Sequence, residues 1–170
     1  MDYVDIKEGL SRVLAIDLHN IWREKRRLNG DLYLSRIKYS EDDIWNLNHG
    51  TNKVDLANCE FYELPSNWKE EYLNAARVVI NLVYEKTISL EDFSSVEIEE
   101  MSSIIHDEWL KRNDWVYDSK IGNPKLTVPY KELSNEEQEK DREQILPAIN
   151  VVKAYMSGLI DLEKYNDKKD

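Results

Sequence analysis

Cysteine is almost absent: the lone Cys59 cannot close an internal disulfide, and no second thiol exists to build a Cys-based metal site. A reducing compartment fits that usage. Glycine and proline are scarce, at 5 and 4 residues, which leaves few turn signals and disfavours a chain built of many short strands. No apolar run approaches the ~20 residues a bilayer span needs, and Met1-Asp2-Tyr3-Val4-Asp5 has neither the basic start nor the apolar stretch of a signal peptide. The chain is therefore expected in the cytoplasm, away from membranes. Basic residues are outnumbered, 23 against 34 acidic ones, and the net charge of −11 repels phosphate backbones at long range, so duplex nucleic acid is not an expected partner. Only Arg23, Lys25, Arg26 and Arg27 form a basic cluster, which also suits a solvated helix C-terminus.

What the chain does have is apolar residues at helical spacing over long stretches, which predicts an all-α fold of five helices. Leu10, Val13, Leu14, Leu18, Ile21 and Trp22 make one stripe over residues 5–28, stopped by Asn29-Gly30. A short helix is expected to begin at Ser40 as its capping residue, with Asp43 three positions on and Ile44, Trp45 and Leu47 as its apolar residues. The third runs over residues 66–84 with Trp68, Tyr72, Ala76, Val79, Ile80 and Val83 inward. The fourth starts at Ser94 or Ser95 and turns Ile98, Met101, Ile105 and Trp109 to one face. The fifth opens on Ser134 and Glu137 and runs to Leu162, with a kink expected at Pro147, whose ring crowds the carbonyl of Glu143. The polar residues 163–170 have little to bury and are expected to fray.

Two anchors recur in the same order. His19-Asn20-Ile21-Trp22 matches His106-Asp107-Glu108-Trp109, each with an apolar residue before the histidine and a basic one, Lys25 or Arg112, three after the tryptophan. Phe61-Tyr62-Glu63-Leu64 then matches Tyr130-Lys131-Glu132-Leu133, and the helices that follow align Ile80-Asn81 with Ile149-Asn150 and Val83 with Val152. The connection between anchors is longer in the first half, His19 to Phe61, than in the second, His106 to Tyr130. Residues 1–92 and 93–170 read as two degenerate copies of one unit.

The chemistry-bearing residues gather on those repeats. A purine needs flat aromatic faces, polar groups for its edge and cations for its phosphates. Trp22, Trp109, Trp115, Tyr33 and Tyr117 offer planes, His19 and His106 offer donors or acceptors, and Arg23, Arg26, Lys111 and Arg112 offer charge. The competing reading makes the tryptophans core residues and the histidines satisfied helix polar groups. Catalysis has less support: there is no Gly-rich phosphate loop, no Ser-centred elbow and no His-Glu metal spacing, and His19, His49 and His106 are too scattered for a metal. The pairs Asp42-Asp43, Glu99-Glu100 and Glu136-Glu137 read as helix-start charges, and a hydrolase using His19 or His106 as general base stays open.

Through His106-Asp107-Glu108-Trp109, Trp115-Val116-Tyr117, Asn123-Pro124-Lys125-Leu126, Val128-Pro129-Tyr130 and Lys140-Asp141-Arg142, the second half resembles the ryanodine receptor repeat, which also occurs as a stand-alone bacterial and phage domain. The first half is similar through His19, Trp22, Gly30, Tyr33 and the Tyr62-Glu63-Leu64 segment, and lacks the Val-Pro-Tyr signature. The resemblance implies two pseudo-twofold-related helical repeats packed as one compact unit. It also implies non-catalytic binding of an adenine-containing nucleotide, or of a cyclic or ADP-ribose-like signal, as a sensor or sponge in phage–host conflict, without a cofactor. His19, Trp22, Arg23, Arg26, Tyr33, His106, Trp109, Arg112, Trp115, Tyr117 and Tyr130 are the expected ligand-binding residues. The alternative is a protein-interaction module with a Trp-rich docking surface, and self-association is compatible with either.

Overall fold

In the computed structural model, which describes residues 2–166, the chain begins with helix α1 (Tyr3–Glu24). Its apolar stripe places Leu10 and Leu14 at full burial. The helix stops earlier than its periodicity predicts. Arg27–Asn29 (β1) leaves the helix axis to pair with Leu32–Tyr33 (β2), and Gly30, at φ +53°, makes the left-handed turn between them. The cause is tertiary: the Arg23 and Arg27 guanidiniums lie 4.5 and 4.8 Å from the Tyr33 ring centroid, pinning the hairpin against the helix end.

A second antiparallel pair, β3 (Ile37–Tyr39) with β4 (Lys53–Asp55), encloses helix α2 (Asp43–His49). The fold is thus mostly helical with two small two-stranded sheets, a correction to the all-α expectation. Helix α2 is capped by Asp42, not Ser40: its carboxylate accepts from the Trp45 N–H at 2.9 Å and also from the Ser66 N–H at 3.1 Å, tying α2 to the start of the next long helix. Ile44 and Leu47 are exposed, because Asp42 and Trp45, whose Nε1–H donates to the Glu63 carbonyl, already fix how the short helix docks.

Short 3-10 turns at Leu56–Asn58 and Phe61–Glu63 lead into α3 (Ser66–Ile88), which carries Ala76, Val79, Ile80 and Val83 through the middle of the molecule. Helices α1 and α6 (Ile145–Met156) both pack along α3 and against each other, and α4 (Ser95–Arg112) also meets α3. Helix α4 opens on a reciprocal capping box: Ser94 Oγ accepts from the Glu97 N–H at 3.2 Å and Glu97 accepts from the Ser94 N–H at 2.8 Å. Met101 and Ile105 complete the core with Ala148, Val151 and Val152 of α6.

After 3-10 turns at Asp114–Tyr117 and Tyr130–Glu132, the expected fifth helix divides into α5 (Asn135–Arg142) and α6. Pro147 explains the break. It has no N–H to bond the Glu143 carbonyl, so the chain is interrupted at Glu143 and Gln144 and the proline falls in the first turn of α6, where it is tolerated. The tail also departs from expectation. Leu162 is buried against Gly9, where a Cβ would come within 3.2 Å of its side chain, and α7 (Glu163–Asn166) brings Tyr165 onto the core. The fraying expected for residues 167–170 lies outside the described residues. No helix among the described residues is long and apolar enough to cross a membrane.

Candidate functional site

The two anchor histidines are interior wedges. His19 is fully buried, with Nε2 2.8 Å from the Cys59 carbonyl and Nδ1 3.2 Å from the Tyr72 hydroxyl. A carbonyl can only accept, so Nε2 carries the proton and Nδ1 accepts from Tyr72. Burial pulls the His19 pKa below its ordinary value and favours this neutral form, against the upward pull of the Cys59 carbonyl. His106 repeats the geometry: its Nε2–H donates to the Val128 carbonyl at 2.8 Å, and Nδ1 lies 3.8 Å from Asp141 Oδ2. One sequence offset relates Cys59 to Val128 and Tyr72 to Asp141. Each imidazole lies nearly parallel to the tryptophan three residues on, Trp22 at 6.1 Å and 20°, Trp109 at 6.4 Å and 16° between ring centroids and planes.

Burial pushes the Asp141 carboxyl up to about 7, with Glu137 adding to the rise and Lys140 opposing it. The folded chain therefore holds a proton here that the unfolded chain releases at lower pH. The resulting stability is complete below the ordinary aspartate pKa and is lost as pH rises to about 7. Asp141→Asn should change the melting temperature little near pH 4 and stabilise the protein by about 1 to 2 kcal/mol near pH 8, less than the full linkage value because solvent reaches part of the group. Equal melting shifts at both pH values in thermal denaturation would show that Asp141 ionises normally.

In front of the tryptophans lies a cavity of about 440 Å³, within the roughly 300–1,000 Å³ usual for small-molecule sites. Helix α1 contributes Leu18, Ile21 and Trp22, and Lys25 caps its C-terminus there; α3 contributes Trp68, Glu71, Tyr72 and Ala75; α4 contributes Trp109. Lys140, Glu143 and Gln144 close it where α5 gives way to α6, and Lys38 and Leu56 come from the long first-half connection. The break before Pro147 is what turns Glu143 and Gln144 toward this space. Ion pairs join the two halves beside it: Lys25 meets Glu143, and Arg112 meets Glu71 at 3.3 Å.

Of the residues expected to bind a ligand, Trp22 and Trp109 line this cavity together. His19 and His106 do not; they stand behind those rings with their polar atoms committed to the backbone and to Tyr72 or beside Asp141. Arg23 is buried and donates to the Ala57 carbonyl at 2.8 Å, with Glu60 3.1 Å away. Arg26 donates to the Leu34 and Ser35 carbonyls and stands 5.3 Å from the Trp22 ring centroid. Tyr33 is enclosed by Arg23, Arg27 and Glu24. Tyr130 is buried, donating to Glu99 at 2.9 Å and accepting from Arg142 at 3.0 Å. Arg112 is held at the cavity edge by Glu71, Trp115 meets Trp109 edge-on at 6.2 Å, and Tyr117 is exposed and outside the cavity.

Sequence reasoning missed Lys38, Glu71, Lys140 and Glu143 as wall residues and read Trp68 and Tyr72 as core. The usable signal was the α3 stripe itself: Trp68 and Tyr72 put two large aromatic rings at its N-terminal end, and both line the cavity. The chain matches no family model, no curated protein and no solved structure.

Proposed function

We propose that the chain is a non-catalytic receptor or sponge for an adenine-containing nucleotide or nucleotide-derived signal, held in the cavity between Trp22, Trp68 and Trp109. In this reading residues 1–92 and 93–170 are degenerate ryanodine-receptor-repeat-like units related by a pseudo-twofold axis, and the cavity lies on that axis. Support comes from the matched histidine bonds and from the wall, where Trp22 and Trp109, Glu71 and Lys140, and Ala75 and Gln144 are repeat-equivalent pairs. The packing supports it too, since the contact of α1 with α6 has its counterpart in that of α4 with α3.

The observation that carries the nucleotide reading is convergence. Three tryptophans, Tyr72 and three lysines meet in one concave space, the arrangement that stacking and phosphate neutralisation require. Docking a protein through a Trp-rich face calls for tryptophans on open surface, and of the five only Trp115 is exposed. A hydrolytic role lacks a free base, because both cavity carboxylates, Glu71 and Glu143, are ion-paired and the histidines do not reach the wall.

Calorimetric titration with AMP, ADP-ribose and a cyclic di-adenosine nucleotide tests the proposal. Saturable binding of at least one of them, with quenching of tryptophan fluorescence and no change in the ligand after incubation, is the expected outcome. Failure of all three to bind at millimolar concentration would end it.

A further inference from the structure

The cavity carries three lysines, and two are already neutralised. Lys25 is paired with Glu143, and Lys140 with Glu137 at 2.7 Å. Of the arginines close by, Arg112 is paired with Glu71 and Arg26 is bound to two backbone carbonyls. Lys38 differs: among the described residues no carboxylate is paired with it, and its ammonium stands 5.8 Å from the Trp68 ring centroid. An unpaired cation over an aromatic face, at the mouth of a largely apolar cavity, is the place where an anion gains most and displaces least.

Its position is built by the fold. Lys38 is the middle residue of β3, opposite Val54 of β4, whose side chain is buried, so the ladder and that anchor hold the strand against the body of the protein. Both strands belong to the long His19–Phe61 connection, and the shorter His106–Tyr130 connection contains no strand. The repeat-equivalent pairs place matching positions on the two sides of the cavity; this segment adds Lys38 at one end, with no carboxylate paired to it among the described residues.

Resting on the nucleotide reading above, we infer that Lys38 is the anion anchor of the cavity, holding the ligand's phosphate above Trp68 and leaving the base to Trp22 and Trp109. Lys25 and Lys140 each have a carboxylate beside them, Glu143 or Glu137, whose charge offsets theirs and repels an incoming phosphate. The ligand therefore binds in a single orientation, and the anionic group, not the base alone, sets its affinity.

The test compares AMP with adenosine, which differ by the phosphate, on the full chain and on Lys38→Gln, Lys38→Arg and Lys53→Gln, by calorimetry at two salt concentrations. Lys38 is exposed, so Lys38→Gln should keep the parent melting temperature. Expected are tighter binding of AMP than of adenosine by the parent, and a loss of about tenfold or more for AMP but not adenosine in Lys38→Gln. Lys38→Arg should retain most of the AMP affinity, Lys53→Gln, which removes an exposed lysine of the neighbouring strand outside the cavity, should leave it within about threefold, and the salt dependence should weaken most in Lys38→Gln. Equal AMP and adenosine affinities in the parent, or an unchanged AMP preference in folded Lys38→Gln, would overturn the anchor while leaving the nucleotide site standing. No binding of either compound, or of ADP-ribose, by the parent would bring down both.

Discussion

His19→Ala is expected to melt about 10 °C below the parent chain. The substitution leaves the Cys59 carbonyl and the Tyr72 hydroxyl without their partner in the interior, at about 1 to 3 kcal/mol, and removes a ring on which Phe61, Tyr72 and Trp22 all pack. With the cavity left behind, the sum is about 3 to 5 kcal/mol, and a protein of this size loses roughly 2 to 4 °C for each. His19→Gln, which keeps an N–H for the Cys59 carbonyl, should recover part of the loss. The histidine also sets an acid limit. Its folded pKa is depressed by burial, so the stability it contributes is complete above the ordinary histidine pKa and is lost as pH falls below it. Thermal melts of the parent and His19→Gln between about pH 5 and pH 8 check this: the two curves should converge as the pH drops. A folded His19→Ala protein that melts within a degree or two of the parent would show that the wedge is not structural.

That wedge marks where the sequence can be read and where it cannot. That His19 and His106 are buried with Trp22 and Trp109 beside them was legible because a helix records its buried face every three or four residues. The apolar stripes of α1, α3 and α4 were legible for the same reason. The partners of those histidines were not, because a backbone carbonyl such as that of Cys59 or Val128 leaves no mark of residue type. The four short strands were missed on similar grounds: Arg27–Asn29 continues a helical pattern and turns away only because Tyr33 stacks on arginines that local propensity ignores. Charge was the least legible property. Arg23 and Arg26 look like phosphate ligands in a basic run, yet carbonyls and Glu60 consume them. The exposed Lys38, isolated in sequence, has no carboxylate paired with it among the described residues.

Trp109→Ala is expected to weaken binding of an adenine nucleotide by about tenfold to a hundredfold, the equivalent of removing one stacking plane at roughly 1 to 3 kcal/mol. Trp109 is half-buried, with His106 behind it and Trp115 edge-on, so the substitution also costs stability. A fully buried tryptophan would cost about 3 to 5 kcal/mol, and part of that applies here. The two effects separate because affinity per folded molecule is measured by calorimetry below the melting transition, while the ligand-free melting temperature reports folding alone. Trp115→Ala supplies the control. It removes the ring that supports Trp109 but does not line the cavity, so it should lower the melting temperature modestly and the affinity by less than Trp109→Ala does. Trp22→Ala should behave like Trp109→Ala, since each ring stands three residues after a buried histidine and the two line the same space. If Trp22→Ala and Trp109→Ala both stay folded and bind with parental affinity, the nucleotide is not held between these rings, and the cavity loses its claim to be the site.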